Sequence, residues 1–132
     1  MPEIARIHHV SMTVTDIERS VPWYTDVLGL TKLMDEPHPN DAGYAVILGK
    51  PDFSFCVGLH THPTNAGEPC SEVRTGLDHA SFGVADRAEL DLWEQRLSEL
   101  GVEHSPVNDR GGYAVLVFRD PDNIQLEFIC MG

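Results

Sequence analysis

Basic side chains are scarce in this sequence. Its 132 residues contain nine Lys and Arg against 21 Asp and Glu, which gives a formal net charge of −12. Nucleic-acid backbones and anionic membrane surfaces are captured by clustered Lys and Arg, so this balance disfavours both kinds of partner. A chain of this length can bury a core without help from metals or disulfides. We therefore expect one domain over residues 1–132, in which any metal site is free to serve function.

Long apolar runs and paired cysteines are also missing. The sequence contains no run of about eighteen apolar residues, the length expected of a membrane-spanning helix. The first residues, MPEIARIHHV, lack the apolar region of a signal peptide. Cys56, Cys70 and Cys130 are odd in number and form no CxxC pair. This usage favours free thiols in a reducing compartment over a disulfide framework. We expect a cytoplasmic protein.

The sequence contains an internal repeat. Residues 7–16, IHHVSMTVTD, align with residues 77–86, LDHASFGVAD, at an offset of 70. A helical segment follows each copy, and later Tyr-Ala-Val and Pro-Asp sequences recur at offsets of 69 and 70. Such self-similarity indicates a duplicated supersecondary unit. We predict module 1 over about residues 5–60 and module 2 over about 76–131, joined by a Pro- and Gly-rich linker at 60–76.

Each module is predicted to run from a strand through a helix into further strands. Residues 9–14 alternate in polarity, as expected for a strand with one buried face. Ser20 is the predicted N-cap of the first helix because Pro22 is tolerated only in a first turn, and Gly29 is its predicted C′ residue. Asp86 is the predicted N-cap of the second helix. Its predicted apolar stripe consists of Leu90, Trp93, Leu97 and Leu100. The later strands are predicted at 44–48, 53–59, 113–118 and 124–129.

Three side chains on the polar strand faces form a candidate metal site. His9 and His79 occupy equivalent positions of the two first strands, and Glu127 alternates with apolar residues on the last. Two histidines and one carboxylate suit divalent Fe, Mn, Zn, Ni or Co and leave coordination positions open for substrate. The candidates to line the substrate site are Ser11, Phe55, Val57, His60, Tyr113 and Gln125. The residues identify no general base and no further cofactor.

Two other histidine positions admit alternatives. His8 is expected to point to the opposite strand face and to be structural. His60 and His62 form an H-x-H pair compatible with a metal site, although a solvated strand end is the simpler interpretation.

The strings IHHVSMTVTDIERSVPWYTDVLGL, GLDHASFGVAD and FRDPDNIQLEFI resemble the vicinal-oxygen-chelate superfamily, and the resemblance covers nearly the whole chain. This superfamily includes glyoxalase I, the glutathione-transferring fosfomycin-resistance enzymes, the type I extradiol dioxygenases and the bleomycin-resistance proteins. The resemblance implies an α+β fold in which paired βαβββ modules form a curled mixed sheet, a cup around a divalent metal, with flanking helices. It also implies that His9 rather than His8, together with His79 and Glu127, holds the metal, and that the chain forms a homodimer.

The resemblance narrows the expected reaction. Glyoxalase I has a fourth ligand, a Glu on the last strand of the first module, and at the offset of 70 the residue matching Glu127 is Val57. Three ligands are the pattern of the fosfomycin enzymes and the extradiol dioxygenases. We therefore expect a metal-dependent lyase, transferase or ring-cleaving dioxygenase for a small substrate with vicinal oxygens. The alternative is a non-catalytic dimer of the bleomycin-resistance type that binds a small molecule and carries vestigial histidines.

Overall fold

A computed structural model describes all 132 residues, and it shows the order βαβββ twice. The chain forms two compact units, Met1–Glu68 and Pro69–Gly132, with one copy in each. The elements of the first unit are β1 (His9–Thr13), α1 (Ile17–Leu28), β2 (Thr31–Pro37), β3 (Tyr44–Gly49) and β4 (Cys56–His60). Those of the second are β5 (Ala80–Gly83), α2 (Arg87–Glu99), β6 (Asn108–Asp109), β7 (Tyr113–Arg119) and β8 (Gln125–Met131).

The sheet of the first unit is mixed and open, with strand order β1-β4-β3-β2. β1 runs parallel to β4, and the other neighbours are antiparallel. The pleat separates two faces, because Val57 and Leu59 are fully buried whereas His60 on the opposite face is only partly buried. Tyr24 of α1 is also fully buried, so the helix and one sheet face share the core.

The sheet of the second unit repeats this topology, with strand order β5-β8-β7-β6. β5 runs parallel to β8, and Ser81 lies opposite Glu127 in their register. Its core has a stacked aromatic centre, because the Phe128 ring lies 4.4 Å from that of Trp93 and 4.8 Å from that of Phe118. The predicted pair of βαβββ modules with flanking helices is confirmed, as two mixed sheets that are not closed.

The start of the first helix differs from the prediction. Asp16 is the N-cap, and its side chain accepts hydrogen bonds from the backbone N–H of Glu18 and Arg19. Ser20, the predicted cap, is instead fully buried inside the helix, and Pro22 also lies inside it. A proline there costs about 3 kcal/mol. Burial of the large apolar side chains of α1, each worth about 1.5–3 kcal/mol, offsets that cost. Those buried side chains are Ile17, Tyr24, Val27 and Leu28.

The ends of both helices are otherwise as predicted, with one exception on the apolar stripe. Gly29 caps α1 in the left-handed conformation, with φ 71°. Asp86 caps α2 and accepts a 2.9 Å hydrogen bond from the backbone N–H of Glu89. Leu90 and Leu97 are fully buried, but Leu100 follows the last turn and is 47% exposed. Neither helix has the length and apolar character needed to cross a bilayer.

Two strands and one strand boundary were not predicted. β2 is almost entirely exposed and lies at the edge of its sheet, so it carries no apolar alternation. β6 is only two residues long. Phe53, the predicted start of a strand, has φ 58° and belongs to the turn before β4. The interior strands are well predicted because β3, β4 and β7 are short apolar runs that are mostly buried, and β8 alternates between buried and partly buried residues.

Candidate metal centre

In the second unit, His79 and Glu127 approach one another at the parallel pair of β5 and β8. Nε2 of His79 lies 3.9 Å from Oε1 of Glu127. The Oγ of Ser81, opposite Glu127 in the strand register, donates a 2.8 Å hydrogen bond to the same Oε1. Nitrogen and oxygen ligands that share one metal ion lie about 3 Å apart, because each bond is about 2.0–2.2 Å long. At 3.9 Å the two atoms are somewhat further apart than this, and a side-chain movement of less than about 1 Å would bring them to the spacing of two ligands of one ion.

A chain of hydrogen bonds orients His79 from behind. Its Nδ1 lies 2.7 Å from Oδ1 of Asp78. Because a carboxylate only accepts, Nδ1 carries the proton, and in the neutral ring Nε2 presents a lone pair. The side-chain amide of Gln125 donates to the same Oδ1 at 2.9 Å, and Nη2 of Arg119 donates to the amide oxygen of Gln125 at 2.9 Å.

A residue of the segment predicted as a linker, Glu72, is the last member of this series of hydrogen bonds. Two nitrogens of the Arg119 guanidinium each donate a 2.9 Å hydrogen bond to the carboxylate of Glu72. The hydrogen bond from Arg119 lowers the pKa of Glu72 from its usual 4.5 to about 2. The backbone N–H of Cys70 donates to the carbonyl of Asp122 at 2.7 Å. Residues 70–72, which belong to the second unit, are therefore held against the end of β7 and the turn before β8.

In the first unit, His9 begins β1 with its side chain exposed. Its Nδ1 lies 3.0 Å from Nδ1 of His8, and the two rings meet edge to face. His8 was expected to point away from His9, but it lies before β1, where the strand alternation does not apply. At the repeat offset of 70, His8 corresponds to Asp78. Both candidate histidines therefore have the preceding side chain as the partner of Nδ1.

The family model of the Glyoxalase/Bleomycin resistance protein/Dioxygenase superfamily matches residues 6–128. The chain belongs to this superfamily. A structure described as a glyoxylase/bleomycin resistance protein/dioxygenase domain from Frankia sp. EAN1pec is 32% identical, with a TM-score of 0.88 over 98% of this chain and 94% of that one.

Two similar proteins are named for two different activities. The lactoylglutathione lyase of Haemophilus influenzae is 30% identical over 94% of this chain and 91% of its own length. The putative ring-cleaving dioxygenase MhqA of Bacillus subtilis is 29% identical over 93% of this chain. The chain spans only 39% of MhqA.

The strand register shows that Val57 is not the residue of the first unit that corresponds to Glu127. Ser11 pairs with Gly58 as Ser81 pairs with Glu127, so the equivalent residue is Gly58, one residue beyond Val57. Val57 pairs with Val10, is fully buried and cannot line a site on the polar face. The offset of 69 shared by the Tyr-Ala-Val sequences is the signal that identifies Gly58, whereas the Pro-Asp turns suggested 70. The fourth carboxylate of glyoxalase I is still absent.

Neighbouring side chains fill the space above Gly58. A Cβ atom at this position would lie 2.5 Å from Oγ of Ser11 and 3.1 Å from Nε2 of His60. Ser11 and His60, both predicted to line the substrate site, are thus brought together on one face of the first unit. Any larger residue at position 58 requires these two side chains to move.

The other candidate lining residues have different surroundings. Phe55 is half-buried before β4, with Nζ of Lys50 6.0 Å from the centre of its ring. Tyr113 begins β7, opposite Met131 and away from the Glu127 register position, and is 41% exposed. The amide of Gln125 is hydrogen-bonded at both its nitrogen and its oxygen, so its place in the structure is that of an orienting group.

A histidine cluster in the first unit was only partly visible in the sequence. Candidate ligand nitrogens of His38, His60 and His62 all lie within 4.8 Å of one another. Nε2 of His38 is 2.9 Å from Nδ1 of His60. Burial, followed by the nearby His38 and His62, lowers the pKa of His60. The H-x-H spacing indicated two members, but no local pattern connects them to His38, which lies in the loop before β3.

Proposed function

We propose that this protein is a metal-dependent enzyme in which His9, His79 and Glu127 bind a divalent ion. We propose further that it acts as a cytoplasmic homodimer on a small molecule with vicinal oxygens. The observation that carries the proposal is the 3.9 Å approach of His79 Nε2 to Glu127 Oε1, with both side chains held by further hydrogen bonds. His9 joins them as the repeat equivalent of His79.

The chemistry of these donors fits a divalent cation. Asp78 accepts from Nδ1 of His79, so the ring offers a lone pair at Nε2. Ser81 occupies one site on Oε1 of Glu127, and a carboxylate has about four lone-pair sites, so several remain for a metal. A bound Fe, Mn, Zn, Ni or Co ion would act as a Lewis acid that polarises a substrate oxygen.

The protein groups around these donors have orienting roles. Asp78 holds the proton on Nδ1 of His79, and Ser81 fixes one carboxylate oxygen of Glu127. Gln125 fixes Asp78 in turn. In the first unit, the hydroxyl of Ser11 lies on the exposed face of β1, where it is available to a polar substrate group. These contacts arrange the site before a ligand arrives, which reduces the reorganisation needed during reaction.

Gly58 favours reactions that use a metal ion held by three protein ligands. With glycine at the position equivalent to Glu127, the first unit supplies no carboxylate there. Three protein ligands leave about three positions on an octahedral ion, enough for a bidentate substrate and one further small ligand. We therefore propose ring-cleaving dioxygenase, or lyase or transferase, chemistry, and we expect little isomerisation of the methylglyoxal–glutathione hemithioacetal.

The test is a panel of metals and substrates. The protein is loaded anaerobically with Fe(II), Mn(II) or Zn(II) and is offered catechols, hydroxyketones and the hemithioacetal, with and without O₂. Substrate-dependent O₂ consumption with Fe(II) alone would select the dioxygenase, and O₂-independent turnover would select the lyase or transferase. Glu127→Gln should abolish turnover, and Glu103→Gln, at an exposed carboxylate, should not. Ligand binding without metal or turnover would instead support a binding protein, and rapid hemithioacetal isomerisation would contradict the argument from Gly58.

A further inference from the structure

The first unit contains a second set of metal-ligating side chains, outside the centre proposed above. We propose that His38, His60 and His62 form a separate site for a divalent transition metal of the Zn, Ni, Co or Cu type. Their ligand nitrogens lie within 4.8 Å of one another, and all three residues belong to the first unit. The proposal therefore does not depend on His79 or Glu127.

The three rings are stacked close together. Those of His38 and His60 are stacked with centroids 5.1 Å apart, and those of His38 and His62 are stacked at 4.9 Å. Two nitrogens bound to one tetrahedral Zn lie about 3.3 Å apart, because each Zn–N bond is about 2.0–2.1 Å. Nε2 of His38 and Nδ1 of His60 are already 2.9 Å apart, so a metal has to separate them only slightly.

His38 has the orienting partner that metal-bound histidines have. Its Nδ1 lies 3.0 Å from the carbonyl oxygen of Ala42, which can only accept, so Nδ1 carries the proton. Nε2 of the neutral ring then presents its lone pair toward His60. A backbone carbonyl behind the ligating ring is a common second partner of zinc-bound histidine.

The backbone holds the loop of His38 against the strand end that carries the other two histidines. Thr61, between His60 and His62, donates its N–H to the carbonyl of Tyr44 at 2.8 Å, and its Oγ1 accepts from the Tyr44 N–H at 3.1 Å. Gly43 has φ 102°, and a Cβ there would collide with the carbonyl of Thr61. Glycine is thus required for this close approach, which keeps the three rings together.

The ligand set indicates which metals fit. Three neutral imidazoles suit Zn, Ni, Co and Cu better than Mg or Ca, which prefer oxygen. Glu36 is close enough to favour positive charge at His60 and would also attract a cation. All three rings are at least partly exposed, so an ion can reach them from solvent.

Metal binding would change the hydrogen bonding of His60. Without metal, Nδ1 of His60 donates its proton to Nε2 of the neutral His38, so Nε2 of His60 is an acceptor. When Nδ1 binds the ion, its proton leaves to solvent and Nε2 takes one up, so the ring stays neutral. Nε2, which lies beside the position of a Cβ on Gly58, then becomes a donor toward the face of Ser11.

The experiment uses the full chain with His9, His79 and Glu127 all changed to Ala, so that the first centre is removed. Zn(II) is titrated by calorimetry, and bound metal is counted by elemental analysis. We expect about one ion per chain, with the dissociation constant raised at least about tenfold by a further His38→Ala or His62→Ala change. His104→Ala, which changes a histidine of the second unit, is the matched control and should leave the dissociation constant for Zn(II) unchanged. Equal affinity in all these variants would overturn the proposal.

Two further measurements cover the case in which the multiple variant fails to fold. In the otherwise unaltered chain, Gly43→Ala keeps every ligand but disturbs the loop, and it should weaken the Zn(II) binding that depends on His38. Nitrogen NMR of the same unaltered chain should show Nδ1 of His60 as the metal-bound atom and Nε2 as protonated. Zn(II) binding that leaves the His60 nitrogen signals unchanged would overturn the site.

Discussion

Ser81 donates a 2.8 Å hydrogen bond to Glu127 across the parallel strands β5 and β8. The first unit keeps the serine of this pair but not the carboxylate, because Ser11 lies opposite Gly58. Duplication has therefore left two similar strand pairs with different chemistry. The second can supply a carboxylate to a metal, whereas in the first the side chains of Ser11 and His60 fill the corresponding space.

The Ser81 hydroxyl should contribute to metal affinity. Changing Ser81 to Ala removes the donor that fixes Oε1 of Glu127, so we expect metal affinity to fall about 10- to 100-fold while the ligands remain. Competition with a chromophoric chelator measures this directly. Ser11→Ala is the matched control, because it removes the equivalent hydroxyl where no carboxylate is present. Equal losses in the two variants would argue against an orienting role for Ser81.

The partners of the two candidate histidines predict unequal effects. Asp78 accepts from Nδ1 of His79 at 2.7 Å, and His8 occupies the equivalent position beside His9. Because a hydrogen bond to a carboxylate is stronger than one between neutral rings, Asp78→Ala should weaken metal binding more than His8→Ala. Both variants are compared by calorimetric titration with the same ion. A larger loss from His8→Ala would contradict the assignment.

Acid stability should depend on the pair of Glu72 and Arg119. Because the pKa of Glu72 is lowered from 4.5 to about 2, the unfolded chain binds more protons there than the folded chain does. This contribution to the free energy of unfolding is present above pH 4.5 and is lost as the pH falls toward 2. Glu72→Gln should flatten that part of the stability curve in urea titrations. Glu103→Gln is the control and should leave the pH dependence of the free energy of unfolding unchanged. A curve for Glu72→Gln identical to that of the unaltered chain would show that the Glu72–Arg119 pair does not contribute to acid stability.

The two sheets predict association of chains. Each is open, with its first strand at an edge, and open edges are a common route to pairing. We expect light scattering to give twice the 14.6 kDa chain mass. Mixing His9→Ala with Glu127→Ala chains then shows whether a centre is shared, because only a shared centre regains an intact ligand set and metal. A strict monomer at micromolar concentration would contradict the predicted dimer.

The fold was predictable where burial imposes a period. The alternation along β8 placed Leu126 and Phe128 inside and Glu127 on the other face, as observed. β2 was not predicted because an exposed edge strand has no inside face to record. Pro22 misled the prediction of α1, since the Asp16 cap and the buried apolar face outweigh the cost of an interior proline.

The candidate site was predictable only in part, for a related reason. Repeat alignment identified His79, and the alternation along the last strand identified Glu127; the second unit shows that the two side chains lie close together. The repeat alignment at an offset of 70 gave Val57 and so missed Gly58 by one residue. A shift of one residue exchanges the two faces of a strand. His38 was not predicted because its contact with His60 joins residues far apart in sequence, and no local pattern records such a contact. Asp78 was not predicted because, although it is adjacent to His79, the strand pattern does not show which way its side chain points.

Diffraction from crystals grown with Mn(II) or Zn(II), measured on both sides of the metal absorption edge, tests the central claim most directly. We expect an anomalous peak about 2.0–2.2 Å from a nitrogen of His9, from Nε2 of His79 and from a carboxylate oxygen of Glu127. A well-ordered crystal with metal elsewhere, and no peak between His79 and Glu127, would contradict it.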